Sequence, residues 1–161
     1  MRILIVYDSV STKKLTEQVA ETISQTLKEN GLEVDSVLAK DASKTNVRDY
    51  DCLIVGSPTM GWRPTDATMQ FLKALPDDGF IKKFGAAFDT QIKSVFSGNG
   101  TKALEKRLKE LGFEIITPAL VAYVQGKSSQ MRLKDGEVEK TKGWAQNLVK
   151  TAQNLTRGMA E

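Results

Sequence analysis

Polar, turn-forming side chains fall at three places in this chain, each where an apolar run breaks off. Residues 2–7 are followed by Ser9-Val10-Ser11-Thr12-Lys13-Lys14-Leu15-Thr16. Residues 51–56 are followed by Ser57-Pro58-Thr59-Met60-Gly61-Trp62, and residues 84–88 by Asp89-Thr90-Gln91. The first segment can capture an anion. Unpaired N–H groups at a helix start, with hydroxyls from Ser9, Ser11, Thr12 or Thr16, can surround a negative group. Lys13 and Lys14 add attraction that is worth little if they point into solvent. The same residues would equally suit an ordinary capped helix. The second segment sets a thioether and an indole on either side of a glycine, which fits the cover of a flat ligand. Loop packing or contact with a partner explains those two side chains as well. The third is ordinary for a turn that ends a strand.

What is missing narrows the chemistry. The chain has no histidine, hence neither the commonest metal ligand nor the commonest base near neutral pH. Zinc sites and triad hydrolases are poor candidates, and no catalytic or metal-ligating set is assigned. The single cysteine, Cys52, allows no internal disulfide and reads as an inert core thiol, consistent with a cytoplasmic setting. The net charge of +3 comes from 23 basic and 20 acidic residues. The lysines are scattered, with no basic block interleaved with aromatics, so nucleic-acid binding has little support. No apolar stretch approaches the ~20 residues of a membrane span, and the first residues read as a strand and not a secretory signal.

The elements that must carry the three segments follow from periodicity. Residues 2–7 are β-branched and apolar, a buried strand. Leu15, Val19, Ile23 and Leu27 recur on a helical stripe, with Ser11 or Thr12 as cap, and Asn30-Gly31 stops that helix. Residues 32–38 alternate as a second strand, and 51–56 form a continuous apolar central strand of the kind buried on both faces. Pro64 opens a short helix through Leu75, and 84–88 give a fourth strand. A helix over 101–111 is stopped by Gly112. Residues 114–117 and 119–124, parted by Pro118, read as one interrupted strand. Asp135 caps a last helix to about Leu155, with Val138, Trp144, Leu148 and Ala152 on one side. Strands alternating with helices predict a single three-layer, doubly wound α/β domain over residues 1–161.

In this order, Tyr7-Asp8-Ser9, the segment 51–59, 84–90, and Leu133-Lys134-Asp135-Gly136-Glu137 ahead of Trp144-Ala145 resemble landmarks of the flavodoxin family. The resemblance implies a five-stranded parallel sheet in the order 2-1-3-4-5, with FMN held by three loops at the carboxyl ends of the strands. It implies a phosphate loop at Ser9, Ser11, Thr12, Lys13, Lys14 and Thr16. An inner flavin loop would comprise Ser57, Pro58, Thr59, Met60, Gly61 and Trp62, and an outer loop would begin at Asp89, Thr90 and Gln91. The first loop departs from the family pattern Ser/Thr-x-Thr-Gly-Asn-Thr: it is longer and lacks the glycine. Many flavodoxins set a tyrosine on the outer flavin face, whereas here Ile92 and Lys93 follow Gln91 and the nearest aromatic is Phe96.

The function implied is that of a small FMN-binding electron carrier, monomeric or weakly dimeric, shuttling electrons between redox proteins. Its Gly61 peptide could turn its carbonyl toward the reduced flavin. Arg63, where family members often have acids, would favour an anionic reduced flavin, and the basic balance suggests partners with an acidic docking face. One alternative is an NAD(P)H-dependent quinone reductase of the same fold, disfavoured by the lack of a long insertion. The other is a cofactor-free interaction module, favoured by the irregular first loop.

Overall fold

Alternation along the first strand decides the layering. Residues 2–7 form β1 (Arg2–Tyr7), in which Ile3, Ile5 and Tyr7 join one apolar cluster while Leu4 and Val6 join another. Both faces of this strand must therefore be covered. The computed structural model, which describes residues 1–10, 14–94 and 98–160, covers them with two helices each. The expectations placed on Ser11, Thr12, Lys13 and Phe96 lie outside the described residues.

On one face lie α1 (Leu15–Glu29) and α4 (Glu137–Ala160), packed through Val19, Ala20, Ile23 and Leu27 and through Trp144, Ala145, Leu148 and Val149. On the other lie α2 (Asp66–Lys73) and α3 (Thr101–Glu110), contributing Phe71, Leu72, Leu104 and Leu108. Phe80 and Phe113 stack beside them with ring centroids 4.8 Å apart. The last helix runs further than expected, and Val138 is 40% exposed, outside the apolar side assigned to it. Trp144 does sit in the core, its indole N–H donating to the Pro118 carbonyl at 2.7 Å.

The sheet has the expected order with additions. β2 (Glu33–Leu38), β1, β3 (Cys52–Pro58) and β4 (Phe84–Ile92) run parallel. The fifth position is shared by β5 (Glu114–Ile115) and β6 (Leu120–Gln125), which both pair with β4. Between them the register slips from Gly85↔Ile115 to Phe88↔Leu120, so the strand bulges around Pro118, which has no N–H to give the ladder. A two-residue β7 (Arg132–Leu133) adds an antiparallel edge. Among the described residues the sheet is thus seven-stranded and not wholly parallel.

Two strands overrun their expected ends. β3 continues through Ser57 and Pro58, and β4 through Asp89, Thr90 and Gln91 to Ile92. Gly56 and Phe88 face each other across that ladder, and a Cβ on Gly56 would fall 2.0 Å from the Phe88 ring. Only glycine lets the ring lie there. Cys52 is buried at the start of β3, where loss of solvation pushes its thiol up to about 12.

Candidate functional site

The carboxyl ends of β1, β3 and β4 lie side by side at the point where the chain leaves β1 for one face of the sheet and β3 for the other. Such switch points are where open α/β sheets bind ligands.

From β1 the chain passes Asp8, whose N–H reaches Gly56 O at 3.2 Å and whose carboxylate accepts from the Ser9 N–H at 2.9 Å. The Ser9 hydroxyl oxygen is buried and has no partner among the described residues. Helix α1 then starts from Lys14 in the left-handed region (φ 51), with no side chain capping it. A left-handed lysine is unusual. Among the described residues no side-chain cap is seen at the start of α1, which follows the unpartnered Ser9 hydroxyl in the chain. Thr16, in contrast, turns inward, its hydroxyl 2.7 Å from that of Thr90. This bond ties α1 to β4.

From β3 the chain makes a tight hairpin. The Met60 N–H donates to Arg63 O at 2.8 Å, and the Arg63 N–H to Met60 O at 3.3 Å. Between them Gly61 (φ 55) and Trp62 (φ 74) both take positive φ, the backbone of a type I′ turn. For a tryptophan that conformation costs about 1–2 kcal/mol. A bridge pairs Trp62 with Gly98, where a Cβ would lie 2.5 Å from the indole. The missing side chain at Gly98 therefore makes room for the indole. Met60 and Trp62 are 53% and 60% exposed, and Val10 and Ile92 nearby in the fold are likewise open.

From β4, Asp89 and Gln91 point to the side of α2 and α3, since Ala87 packs in that cluster and side chains alternate. Asp89 is wholly buried. Its Oδ2 accepts from the Thr59 hydroxyl at 2.5 Å and from Gln91 Nε2 at 2.6 Å. Thr59 in turn accepts from the Gly100 N–H at 3.0 Å. Burial pushes the Asp89 carboxyl up to about 6, against the pull of Thr59, Gln91 and Lys140 toward the ionised form.

A family model described as flavodoxin matches residues 5–136. The chain belongs to the flavodoxin family. Flavodoxin 2 of Bacillus cereus superposes with a TM-score of 0.78 at 24% identity, over 96% of this chain and 99% of that one. Flavodoxin 1 of the same organism gives 0.76 at 20%, over 93% and 98%. The rubredoxin oxygen:oxidoreductase of Desulfovibrio gigas gives 0.77 at 22%, over 95% of this chain. This flavodoxin-family chain spans only 36% of that protein's length. At these identities the likeness speaks for the fold. No curated protein matches.

Within this flavodoxin fold the structure brings Ser9, Lys14, Thr16, Thr59, Met60, Gly61, Trp62, Asp89, Thr90 and Gln91 to one end of the sheet. Ser57 and Pro58 are strand residues: Ser57 is buried, its hydroxyl accepting from the Thr65 N–H at 2.9 Å ahead of α2. Asp89, Thr90 and Gln91 are buried strand residues too, so the β4 connection begins beyond Ile92 and not at Asp89. Sequence reasoning missed the Asp89–Thr59–Gly100 chain. Its one signal is the pair Gly98 and Gly100 flanking Asn99, which marks close backbone approach. It also missed Tyr123, which pairs with Gln91 and lies against the ammonium groups of Lys93 and Lys140 at 5.5 and 4.7 Å from its ring. No helix among the described residues is long and apolar enough to cross a membrane.

Proposed function

We propose that this chain binds FMN at the carboxyl end of its sheet and carries electrons between redox proteins. The observation that carries the reading is the Ser9 hydroxyl, buried and unpartnered among the described residues, in the connection that leads to an α1 start where no described side chain forms a cap. A buried polar atom without a partner is costly, and here it comes shortly before a helix start whose N–H groups suit an anion. That combination fits a phosphate monoester even without the family's glycine. The hairpin fits the other end of FMN, because it holds an exposed apolar pair at the same end of the sheet.

Bound FMN would supply the redox chemistry itself, accepting and releasing electrons on its ring. The chain's part is to hold and tune. Ser9 and the first N–H groups of α1 would take the phosphate. Met60 and Trp62 would cover the ring and keep water from it. A Cβ placed on Gly61 would meet nothing within 4 Å, so what this glycine contributes is backbone freedom, allowing its carbonyl to turn toward a protonated ring nitrogen. The exposed Lys14, Arg63 and Lys93 follow the ends of β1, β3 and β4. They favour an anionic reduced ring and a partner with an acidic face. We read residues 1–161 as one functional unit of this kind, monomeric or weakly dimeric and acting in the cytoplasm. The exposed apolar rim (Val10, Met60, Trp62, Ile92) would be covered in part by ligand and in part by the docked partner.

The test is the absorbance of the purified chain, followed by FMN titration of the stripped protein through quenching of flavin fluorescence. Flavin bands and saturable quenching are expected, with Ser9→Ala weakening binding roughly tenfold, the worth of one good hydrogen bond. No saturation up to about 100 μM FMN would reject the carrier. It would favour the cofactor-free module, which the missing glycine of the first loop supports.

A further inference from the structure

Three parts of the site meet at the carboxylate of Asp89. The hairpin reaches it through the Thr59 hydroxyl, α3 through the Gly100 N–H bonded to that hydroxyl, and β4 through Gln91. The approach is close: a Cβ on Gly100 would lie 2.8 Å from Thr59 Oγ1 and 3.2 Å from the Pro64 nitrogen. The carboxylate is fully enclosed, and its second oxygen, Oδ1, has no donor among the described residues. A buried charge using only one of its oxygens is poorly compensated. Among the described residues the one charge that bears on it is Lys140 of α4, and that ammonium is already held by Glu137 at 2.5 Å.

We propose that Asp89 is a positioning residue whose negative charge holds Thr59, and with it the 60–63 hairpin, against the head of α3, and whose protonation releases that hold. Hydrogen bonds to an ionised acceptor are about twice as strong as neutral ones. Loss of the charge weakens both bonds at Oδ2 together, and Thr59 then holds Gly100 less firmly. The proton lies within reach because burial has raised the carboxyl to about 6. The chain has no histidine, the side chain that ordinarily titrates between pH 5 and 8. The α-amino group sits at the opposite end of β1 from the hairpin. A transition near pH 6 in the hairpin therefore points to Asp89.

The consequence for ligand binding rests on the reading of the hairpin as a flavin cover: FMN affinity should fall as pH drops below about 6. The structural claim stands apart from it. The test uses the full chain with 5-fluorotryptophan at Trp62, made the sole indole by Trp144→Phe, followed by ¹⁹F NMR between about pH 4.5 and 8. The Trp62 resonance should shift sigmoidally with a midpoint near 6. Asp89→Asn should abolish that shift, and so should Thr59→Val, which breaks the link while leaving the carboxyl in place. A flat resonance in the parent chain, or an unchanged midpoint in both variants, overturns the proposal. If the resonance titrates in a protein that never binds FMN, the positioning role holds and the carrier reading fails. If FMN binds but the resonance is flat, the reverse follows.

Discussion

The two ends of the sheet are built to opposite standards. At the amino end the charged groups are met from several sides. The Arg2 guanidinium lies 3.4 Å from Glu33 and stacks over Tyr50, whose hydroxyl donates to Asp35. The Lys83 ammonium donates to the carbonyls of Arg48 and Tyr50. Arg107, only 13% exposed, serves Leu72 O, Leu75 O, Asp77 and Glu110 at once. At the carboxyl end the reverse holds. Both unpartnered buried side-chain atoms among the described residues, Ser9 Oγ and Asp89 Oδ1, lie there. So do most of the exposed large apolar side chains. Incomplete satisfaction gathered at one end is what a ligand site imposes on its protein.

The contrast can be broken most forcefully at Asp89. Its carboxyl is raised from 3.8 to about 6 in the folded chain, so between those values the native state binds the proton that the unfolded state releases. The contribution of Asp89 to stability is then fullest below pH 4 and is lost as pH rises through 6, by at most about 3 kcal/mol. Urea unfolding at several pH values should show this loss in the parent chain and not in Asp89→Asn. The same slope in both would remove Asp89 from the account.

Arg107→Ala probes the opposite end. Four contacts vanish and two helix-end carbonyls lose a donor, so stability should fall by about 2 kcal/mol. FMN affinity measured under native conditions should not move. A matching loss of affinity would mean that the two ends are not separable.

Gly61→Val sharpens the picture of the hairpin. No neighbour lies within 4 Å of a Cβ added there, so any effect comes from forcing a β-branched residue to φ 55. Roughly 1–2 kcal/mol should appear as about a tenfold weaker FMN complex, with the first one-electron potential displaced by roughly 40 mV if the turning carbonyl is lost. Unaltered affinity and potential would deny the glycine its role. The smallest expected effect belongs to Arg63→Glu, an exposed position screened by salt. It should lower the potential for forming the anionic reduced flavin by on the order of 10 mV, and a spectroelectrochemical titration would resolve the sign.

How much of this could be read from residues alone varies with burial. β1 and β3 were legible because strands covered on both faces have little freedom except to be apolar. The helix stripes of α1 and α3 were legible for a related reason. The end of β4 was not. Asp89-Thr90-Gln91 has the composition of a turn, yet it stays in the ladder because β3 and β6 pair with it from both sides. Its side chains bond to Thr59, Thr16 and one another, with Asp89 Oδ1 alone left over. No local pattern announces such a tertiary arrangement. The start of α1 was obscured differently: its left-handed residue is a lysine, a type that carries no conformational signal. The split of the fifth strand was visible only because proline marks it.

Cys52 gives the molecule a built-in clock. The only thiol of the chain lies sealed in the central strand, with its ionisation driven up to about 12. It cannot meet an alkylating reagent until the sheet itself comes apart. The rate of its modification in native buffer therefore counts global openings one by one. Because the cysteine stands at the start of β3, what it reports is opening of the sheet and not of the site at that strand's other end.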